Sequence, residues 1–241
     1  MKGIILSGGN GTRLYPLTLA ISKQLLPVYK YPMIFYPIHT LISMGIKDIL
    51  IIVKEEQLQL YKKTILKYFS NINITFEIQN EPKGLAEAFI IAEKWLDGDD
   101  VTMILGDNVI INSMPIKSDP NTIFTFKVRT PEQYGVCTVD KNGNIDQIIE
   151  KPTDFVSDAA VVGLYIFKNY ACNLAKHIKP SARGEVEIVD LIKVVDKIER
   201  VKVASLDGFW FDAGTPSGLL DCANVVRSIE ERSNVRLFEG F

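Results

Sequence analysis

Near the N-terminus the chain reads Gly3-Ile4-Ile5-Leu6-Ser7-Gly8-Gly9-Asn10-Gly11-Thr12-Arg13-Leu14. A short apolar strand pattern, Gly3 to Leu6, runs directly into a loop that contains three glycines and an arginine. Glycines let backbone N–H groups curl around phosphate oxygens, and an arginine fork can neutralise those oxygens with two hydrogen bonds. The stretch therefore predicts a strand followed by a phosphate cradle, although a plain tight turn can have the same composition.

The cradle differs from the two best-known phosphate loops. No Gly-Lys-Ser/Thr follows the glycines, which excludes a P-loop. A dinucleotide fingerprint is excluded as well, because its third spaced glycine and its later acidic residue are missing. Lys23 follows closely enough to fold back over the loop and place its ammonium on a transferring phosphate. Taken alone, its sequence context favours an ordinary solvated lysine.

Beyond the loop, the first half of the chain alternates β-branched runs with helical patterns. This alternation is typical of βαβ units and a parallel sheet, whose ligands bind beyond the carboxyl ends of the strands. The predicted strands are Ile49 to Val53, Ile74 to Ile78 and Val101 to Leu105. The predicted helices are Pro32 to Met44, Gln57 to Phe69 and a segment from Leu85 to Trp95.

The second half is richer in strands. Its predicted elements are strands over Thr122 to Val128 and Ala160 to Phe167, a hairpin turning at Asn142-Gly143, and helices over Glu187 to Lys197 and Pro216 to Arg232. We therefore expect an α/β fold with a Rossmann-like, mixed but mostly parallel central sheet flanked by helices. No repeat or linker divides it, so residues 1–241 are predicted to form one domain, with lobes of about 1–108 and 109–241.

Two aspartates stand where a hard metal ion would be held. Asp107 follows the continuous apolar run Val101 to Leu105, at the carboxyl end of a buried strand. Asp212 lies in Trp210-Phe211-Asp212-Ala213-Gly214-Thr215, before a helix start marked by Thr215-Pro216. Together they could hold one Mg²⁺, which prefers oxygen ligands. Either aspartate could instead cap a turn.

Glu150-Lys151-Pro152 supplies an acceptor for sugar hydroxyls beside a cation for a phosphate. By itself this segment also fits a charged strand end before a proline. Glycine-rich, cationic and carboxylate groups together suit phosphoryl or nucleotidyl transfer, in which positioning and charge neutralisation supply most of the catalysis.

The composition excludes other classes of protein. Basic and acidic residues nearly balance, 27 against 29, so no bulk positive field favours a nucleic-acid backbone. Three scattered cysteines, Cys137, Cys172 and Cys222, suit reduced core thiols in a cytoplasmic protein. No apolar stretch approaches membrane-spanning length. The sequence context of the two histidines, His39 and His177, indicates structural roles. This argues against acyl transfer and zinc hydrolysis.

Taken together and in order, these motifs resemble the sugar nucleotidyltransferase family, in particular its short, thymidylyl-transferring branch. The resemblance covers essentially the whole chain. The matching segments are Gly8 to Pro16, Lys23 to Val28, Gly84 to Ala88, Gly106 to Asn108, Tyr134 to Val136, Glu150 to Pro152, Val162 to Tyr165, Arg183 to Ile188 and Asp212 to Thr215.

The resemblance assigns roles to individual positions. It implies that Gly8, Gly11, Thr12 and Arg13 bind the triphosphate, that Lys23 is catalytic with Arg13 and Lys151, and that Asp107 and Asp212 bind Mg²⁺. The positions expected to read the pyrimidine are Gln79 and Gly84, since an amide can pair with the imide edge of thymine or uracil. The positions expected to hold the sugar phosphate are Tyr134, Gly135, Glu150, Lys151, Val162 and Arg183.

The resemblance also implies a reaction and an assembly. A thymidylyl group would pass from dTTP to glucose 1-phosphate, giving dTDP-glucose and pyrophosphate, in a homo-oligomeric enzyme with no covalent intermediate. Compared with longer members, the stretch from Ile110 to Thr122 is short and the chain stops soon after Arg232. We therefore expect no regulatory nucleotide site of the kind that extra C-terminal helices form.

Two other functions fit part of the pattern. A uridylyltransferase making UDP-sugars would read the same base edge, because uracil lacks only a methyl group, and an apolar pocket resolves one methyl by about 1–3 kcal/mol. UTP is therefore an alternative substrate. A non-catalytic sugar-nucleotide-binding subunit would be expected to have lost the charges at the reactive centre, but all of them are present.

Overall fold

The computed structural model describes residues 1–111, 116, 119–233 and 238. Its strands are β1 (Lys2–Leu6), β2 (Pro27–Val28), β3 (Tyr31–Pro32), β4 (Asp48–Val53), β5 (Asn73–Ile78), β6 (Val101–Leu105), β7 (Asn108–Ile111), β8 (Thr122–Lys127), β9 (Gly135–Val139), β10 (Ile145–Glu150), β11 (Ala159–Phe167), β12 (Lys202–Ser205) and β13 (Phe209–Asp212). Its helices are α1 (Phe35–Ser43), α2 (Leu58–Ile65), α3 (Glu87–Leu96), α4 (Ala171–Ala175), α5 (Ile188–Ile198) and α6 (Pro216–Ser233).

The centre of the fold is a nine-stranded mixed sheet in the described part of the chain, as the sequence predicts. Its first-half strands β6, β1, β4 and β5 are neighbours in that order, and all their pairings are parallel. The carboxyl ends of these strands therefore meet at one edge. The loops that begin at Ser7, Gln79 and Gly106 all leave the sheet there.

The second half joins the same sheet through its longest strand, β11. This strand pairs antiparallel with β6, β8 and β9, while β10 extends the sheet beyond β9 and β12 lies parallel to β8. Strands of both lobes therefore share one hydrogen-bonded sheet. The loops that follow β6 and precede β9 are brought to the same side of the molecule.

Helices cover both faces of the sheet because its central strands are apolar on both sides. Along β1, Ile4 faces the core beneath α3 and α5, and the next residue, Ile5, faces the core beneath α1 and α2. Both side chains are fully buried. Since successive strand residues point to opposite faces, a continuous apolar run is what a doubly covered strand requires.

Most predicted elements are present with boundaries shifted by at most four residues. The helix predicted from Pro32 begins at Phe35, because Tyr31–Pro32 pairs with Pro27–Val28 as a two-residue ribbon. The ribbon of β7 and β13, the strand β12 and the short helix α4 were not predicted. The stretch expected to be short between Ile110 and Thr122 lies partly outside the described residues.

The three cysteines lie buried in the core and unpaired, in agreement with the sequence analysis. Burial raises the pKa of Cys137 and of Cys172 to about 11, and that of Cys222 to about 12. A thiol reagent that needs the thiolate should therefore react at pH 8 at least about 100-fold more slowly with the native protein than with the urea-unfolded chain. Fast labelling of any thiol in the native protein would contradict this burial.

A search for membrane-crossing segments gave a negative result over the described ranges. None of the helices there is long and apolar enough to cross a membrane. The longest, α6, spans Pro216–Ser233 and carries several charged residues along its length.

Candidate active site

Two adjoining cavities, of about 530 and 320 Å³, lie at the edge of the sheet where the parallel strands end. The larger cavity lies beside the glycine-rich loop and Gln79, and the smaller one lies beside Tyr134 and Asp212. The residues that line both cavities are Arg13, Leu85, Leu105, Asp107, Glu150, Lys151 and Ile188. The charged groups singled out in the sequence therefore meet where the two cavities join.

The glycine-rich loop delivers Arg13 to this junction. Gly11 adopts the left-handed conformation, with φ of 65°, and a short 3₁₀ turn over Thr12–Leu14 follows it. Arg13 then donates from both terminal nitrogens to Asp212, at 2.9 and 3.3 Å. Although burial lowers the pKa of the guanidinium, its attraction to Asp212 outweighs this and raises the pKa.

Lys23 folds back over the loop, as expected. Its ammonium donates to Oδ2 of Asp107 at 2.5 Å. Asp107 is 6% exposed. Burial opposes ionisation of this carboxyl, but the charge and hydrogen bond of Lys23, together with the Arg13 charge and the Asn108 amide, outweigh it and hold the pKa below its usual range. The Asp107 carboxyl is therefore ionised at neutral pH.

A buried polar network that the sequence analysis missed supports Lys23. The hydroxyl of Tyr61, on α2, lies 2.8 Å from that of Ser22 and donates to Oε1 of Gln24 at 3.2 Å. Ser22 also donates to Gln24 at 2.6 Å. Because Ser22 and Gln24 flank Lys23, the network holds the backbone of the lysine from both sides. The sequence signal was weak, since a tyrosine in an amphipathic helix usually serves only packing.

Gly214 brings the two aspartates together. A Cβ at this position would lie 2.7 Å from Oδ2 of Asp107, 2.9 Å from Oδ1 of Asp212 and 2.8 Å from Nη2 of Arg13. Asp212 also accepts the Gly214 N–H, at 3.0 Å. The two carboxylates thus flank one small space that only a residue without a side chain leaves open.

The donor set at this space fits a hard divalent cation. Mg²⁺ takes one or two protein carboxylates and fills its remaining positions with water and substrate phosphate. Within the described residues no group of three or more His, Cys, Asp or Glu side chains is arranged to hold a metal ion, so an all-protein metal cage is not present there. Asp107 and Asp212 are the residues that would hold such an ion.

The unpredicted ribbon of β7 and β13 places Asp212 at the site. Asp212 pairs with Asn108 in this ribbon, and the backbone N–H of Ala213 donates to the carbonyl of Asp107 at 2.9 Å. The Asn108 side chain accepts from the Trp210 indole at 2.7 Å and from the Gly163 N–H at 3.0 Å. A buried amide therefore links both metal-candidate segments to β11.

One end of the larger cavity contains Gln79 and Gly84, the two residues that the sequence predicts to read the base. Gln79 follows β5 and is 3% exposed, and its carbonyl oxygen lies 2.1 Å from where a Cβ on Gly8 would be. Gly84 has φ of 110°, and a Cβ on it would lie 2.4 Å from the carbonyl oxygen of Val186. Glycine is required at Gly84, where the neighbouring atoms are backbone, whereas a side chain at position 8 would have to displace the Gln79 amide.

The smaller cavity contains Tyr134, Gly135, Glu150 and Lys151. Lys151 has φ of 45°, a left-handed conformation that is rare for lysine, and its N–H donates to the carbonyl of Tyr134 at 3.0 Å. Burial raises the pKa of Glu150 against the opposing charges of Lys151 and Arg183. The geometry combines a hydrogen-bond acceptor with an adjacent cation.

Three predicted site residues, Gly8, Gly11 and Val162, do not line either of the two cavities. Neither Gly8 nor Gly11 lines a cavity, since Gly8 lies beneath Gln79 and Gly11 shapes the loop. The Val162 side chain is fully buried in the core beneath α1 and α2, while its neighbours Val161 and Gly163 line the smaller cavity. An alternating strand cannot present successive side chains to one cavity.

Arg183 lines the larger cavity but is already engaged by carboxylates. It donates to Glu187 at 2.9 Å and to Glu150 at 3.5 Å, and Glu185 lies 3.9 Å away. Burial lowers the pKa of Arg183, but these carboxylates outweigh it and raise the pKa. In this arrangement the arginine orients Glu150 rather than offering a free positive charge.

A nucleotide-sized cleft with a glycine-rich loop, two cations and two facing aspartates defines a class of phosphate-transferring protein. A comparison with family models agrees, since the Nucleotidyl transferase model matches residues 2–228. The chain belongs to the nucleotidyl transferase family.

Within that family the chain is similar to proteins of one kind. It is 41% identical to the glucose-1-phosphate thymidylyltransferase of Neisseria meningitidis and 38% identical to that of Mycolicibacterium smegmatis, and each alignment covers 98% of this chain and 86% of the relative. A solved Bacillus anthracis structure assigned as the same enzyme, in complex with sucrose, superposes with a TM-score of 0.86 at 34% identity, covering 95% of this chain and 96% of the other.

A more distant solved structure, a UDP-glucose pyrophosphorylase with UDP-glucose, has a TM-score of 0.84 at 23% identity and covers 94% of this chain and 98% of that one. At this identity the likeness concerns the fold. It agrees with the Rossmann-like, mixed-sheet architecture that the sequence predicts.

Proposed function

We propose that this protein transfers a thymidylyl group from dTTP to glucose 1-phosphate, giving dTDP-glucose and pyrophosphate. The observation that carries the proposal is that two cavities, one beside the base-reading amide and one beside Glu150, meet at Arg13, Asp107 and Lys151. Two anionic substrates that must react with each other need such a junction. The named relatives at 35–41% identity support the same reaction.

The reaction requires the enzyme mainly to position the two substrates and to neutralise their charge. A sugar 1-phosphate is largely a dianion at neutral pH, because its second pKa is about 6, so its oxygen attacks without a general base. That oxygen forms a bond to the α-phosphorus of dTTP as the bond to the pyrophosphate oxygen breaks. Arg13 and Lys23 face the nucleotide phosphates and Lys151 faces the sugar phosphate, where each offsets repulsion between the two anions.

The remaining groups in the two cavities orient the substrates. The Gln79 amide pairs with the base beside Gly84, Glu150 accepts from sugar hydroxyls, and Tyr134 with Gly135 shapes the sugar pocket. Asp107 and Asp212 would hold Mg²⁺, which when bound neutralises charge on the nucleotide phosphates. In this proposal residues 1–108 form mainly the nucleotide lobe and residues 109–241 mainly the sugar lobe.

We further propose a cytoplasmic homo-oligomer. Three reduced, buried thiols suit a reducing compartment. Several large apolar side chains on the described surface, Leu19, Phe155 and Leu220 among them, are more than half exposed and are candidates for contacts between subunits. Light scattering on the purified protein measures the number of subunits directly.

The test of the proposed reaction is pyrophosphate release with Mg²⁺ and glucose 1-phosphate, run in parallel with dTTP, UTP, CTP, GTP and ATP. Release with dTTP that requires both the sugar phosphate and the metal ion is expected. A clear preference for UTP would make the protein a uridylyltransferase. No release with any nucleotide, after a second panel of sugar 1-phosphates, would leave a sugar-nucleotide-binding subunit.

A further inference from the structure

A carboxylate outside the proposed catalytic set, Glu87, contacts the amide that faces the base. Nε2 of Gln79 donates to Oε2 of Glu87 at 2.7 Å. The same carboxylate oxygen accepts the backbone N–H of Lys83 at 3.0 Å. Glu87 is the first residue of α3, where the helix dipole stabilises a negative charge. The carboxylate is therefore held in place from two directions, by the loop and by the helix.

This contact decides which way round the Gln79 amide lies. A carboxylate only accepts hydrogen bonds, so the NH₂ end of the amide must face Glu87 and the carbonyl end must point away. The carbonyl oxygen accordingly lies against Gly8, in the space that the missing side chain leaves. An amide flipped by 180° would put two acceptors against each other at hydrogen-bond distance.

The orientation matters because the pyrimidine bases differ in the order of their donors and acceptors. Thymine and uracil present an N3–H donor beside an O4 acceptor, whereas cytosine presents an N3 acceptor beside an N4 donor. An amide held with one orientation matches only one of these orders at a given base position. An amide that is free to flip matches either.

Resting on the proposed function, we propose that Glu87 is a positioning residue that locks Gln79 and thereby makes the nucleotide site selective for an imide base over cytosine. Glu87 touches no reacting atom in this scheme and acts only through Gln79. The proposal deepens the nucleotide assignment, because it names a determinant of base choice on a helix outside the phosphate loop.

The test is the variant Glu87→Leu, which is close to glutamate in size but neither accepts from nor donates to the Gln79 amide. Both orientations of the Gln79 amide then become available. We expect the ratio of kcat/KM for dTTP to that for dCTP to fall about tenfold or more, mainly through KM. Glu93→Leu is the matched control, since Glu93 lies on the same helix and pairs with Lys176 at 2.6 Å on the exposed surface.

Direct calorimetric binding of dTTP and dCTP separates this proposal from the proposed reaction. A lower Kd selectivity in Glu87→Leu, with no turnover by the wild-type protein, would uphold the lock and overturn the reaction. Equal losses for both nucleotides, which leave the dTTP to dCTP ratio at its wild-type value, would overturn the lock and show a merely structural role for Glu87. An unchanged ratio in Glu93→Leu is expected in every case.

Discussion

Replacing Asp107 with asparagine is expected to lower kcat for thymidylyl transfer at least about 1000-fold. Asp107 is one of two carboxylates at the junction of the cavities and accepts the Lys23 ammonium at 2.5 Å. Asparagine has the same shape but no charge, so it neither binds a divalent cation well nor holds the lysine as an ion pair. Steady-state pyrophosphate release measures the loss.

The exposed pair of Asp158 and Lys127 provides the matched control. These side chains lie 3.7 Å apart, and both are at least half exposed. Asp158→Asn removes the same charge from a solvated site, so kcat should stay within about twofold of the wild-type value. The circular dichroism spectrum of Asp107→Asn at 25 °C should remain that of the folded protein. Full activity in Asp107→Asn would show that the carboxylate is not a metal ligand.

Adding a single methyl group at Gly214 is the second large effect. The alanine Cβ would lie within 3 Å of charged atoms of Asp107, Arg13 and Asp212, and all three would have to move apart. Because misplacement of reacting groups by about 1 Å costs about 100-fold, we expect kcat of Gly214→Ala to fall at least about 100-fold. Activity titrated against Mg²⁺ should also need a higher metal concentration, since the two carboxylates separate.

Gly45→Ala controls for the general effect of losing a glycine. Gly45 lies in a left-handed turn after α1, with φ of 81°, and a Cβ there would have no heavy atom within 4 Å. This variant should lose about 1 kcal/mol of folding free energy through backbone strain yet keep its wild-type kcat below its melting temperature. Wild-type activity in Gly214→Ala would mean that the space between the aspartates is not used in the reaction.

The parallel half of the sheet was predictable from the sequence because each of its strands and helices has a pattern that lies within one short segment of the chain. Val101 to Leu105 is apolar at every position except Thr102, and such a run fits a strand covered on both faces. Helices α3 and α5 show 3.6-residue periodicity that one segment displays without reference to another. Local patterns also indicated the chemistry of the glycine-rich loop and of the carboxylates that follow apolar strands.

The ribbon of β7 and β13 was not predictable in the same way. Its two strands have four residues each and are separated by about one hundred positions in the chain, so neither shows a periodicity of its own. The pairing of Asp212 with Asn108 exists only after the sheet has formed. The Tyr61 network behind Lys23 has the same character, since its members come from α2 and from the segment around Lys23.

By itself, the sequence determined the fold class, the family and the set of charged residues that the site contains. Only the tertiary structure decided which of these charges pair with each other. It also decided that Gly214 leaves the space between the two aspartates, that Val162 faces the core and that Glu87 orients Gln79. The physical reason is the separation along the chain over which each kind of interaction acts. Periodicity and turn chemistry act between neighbours in the chain, whereas hydrogen bonds and close packing act between any groups that folding brings within a few ångströms.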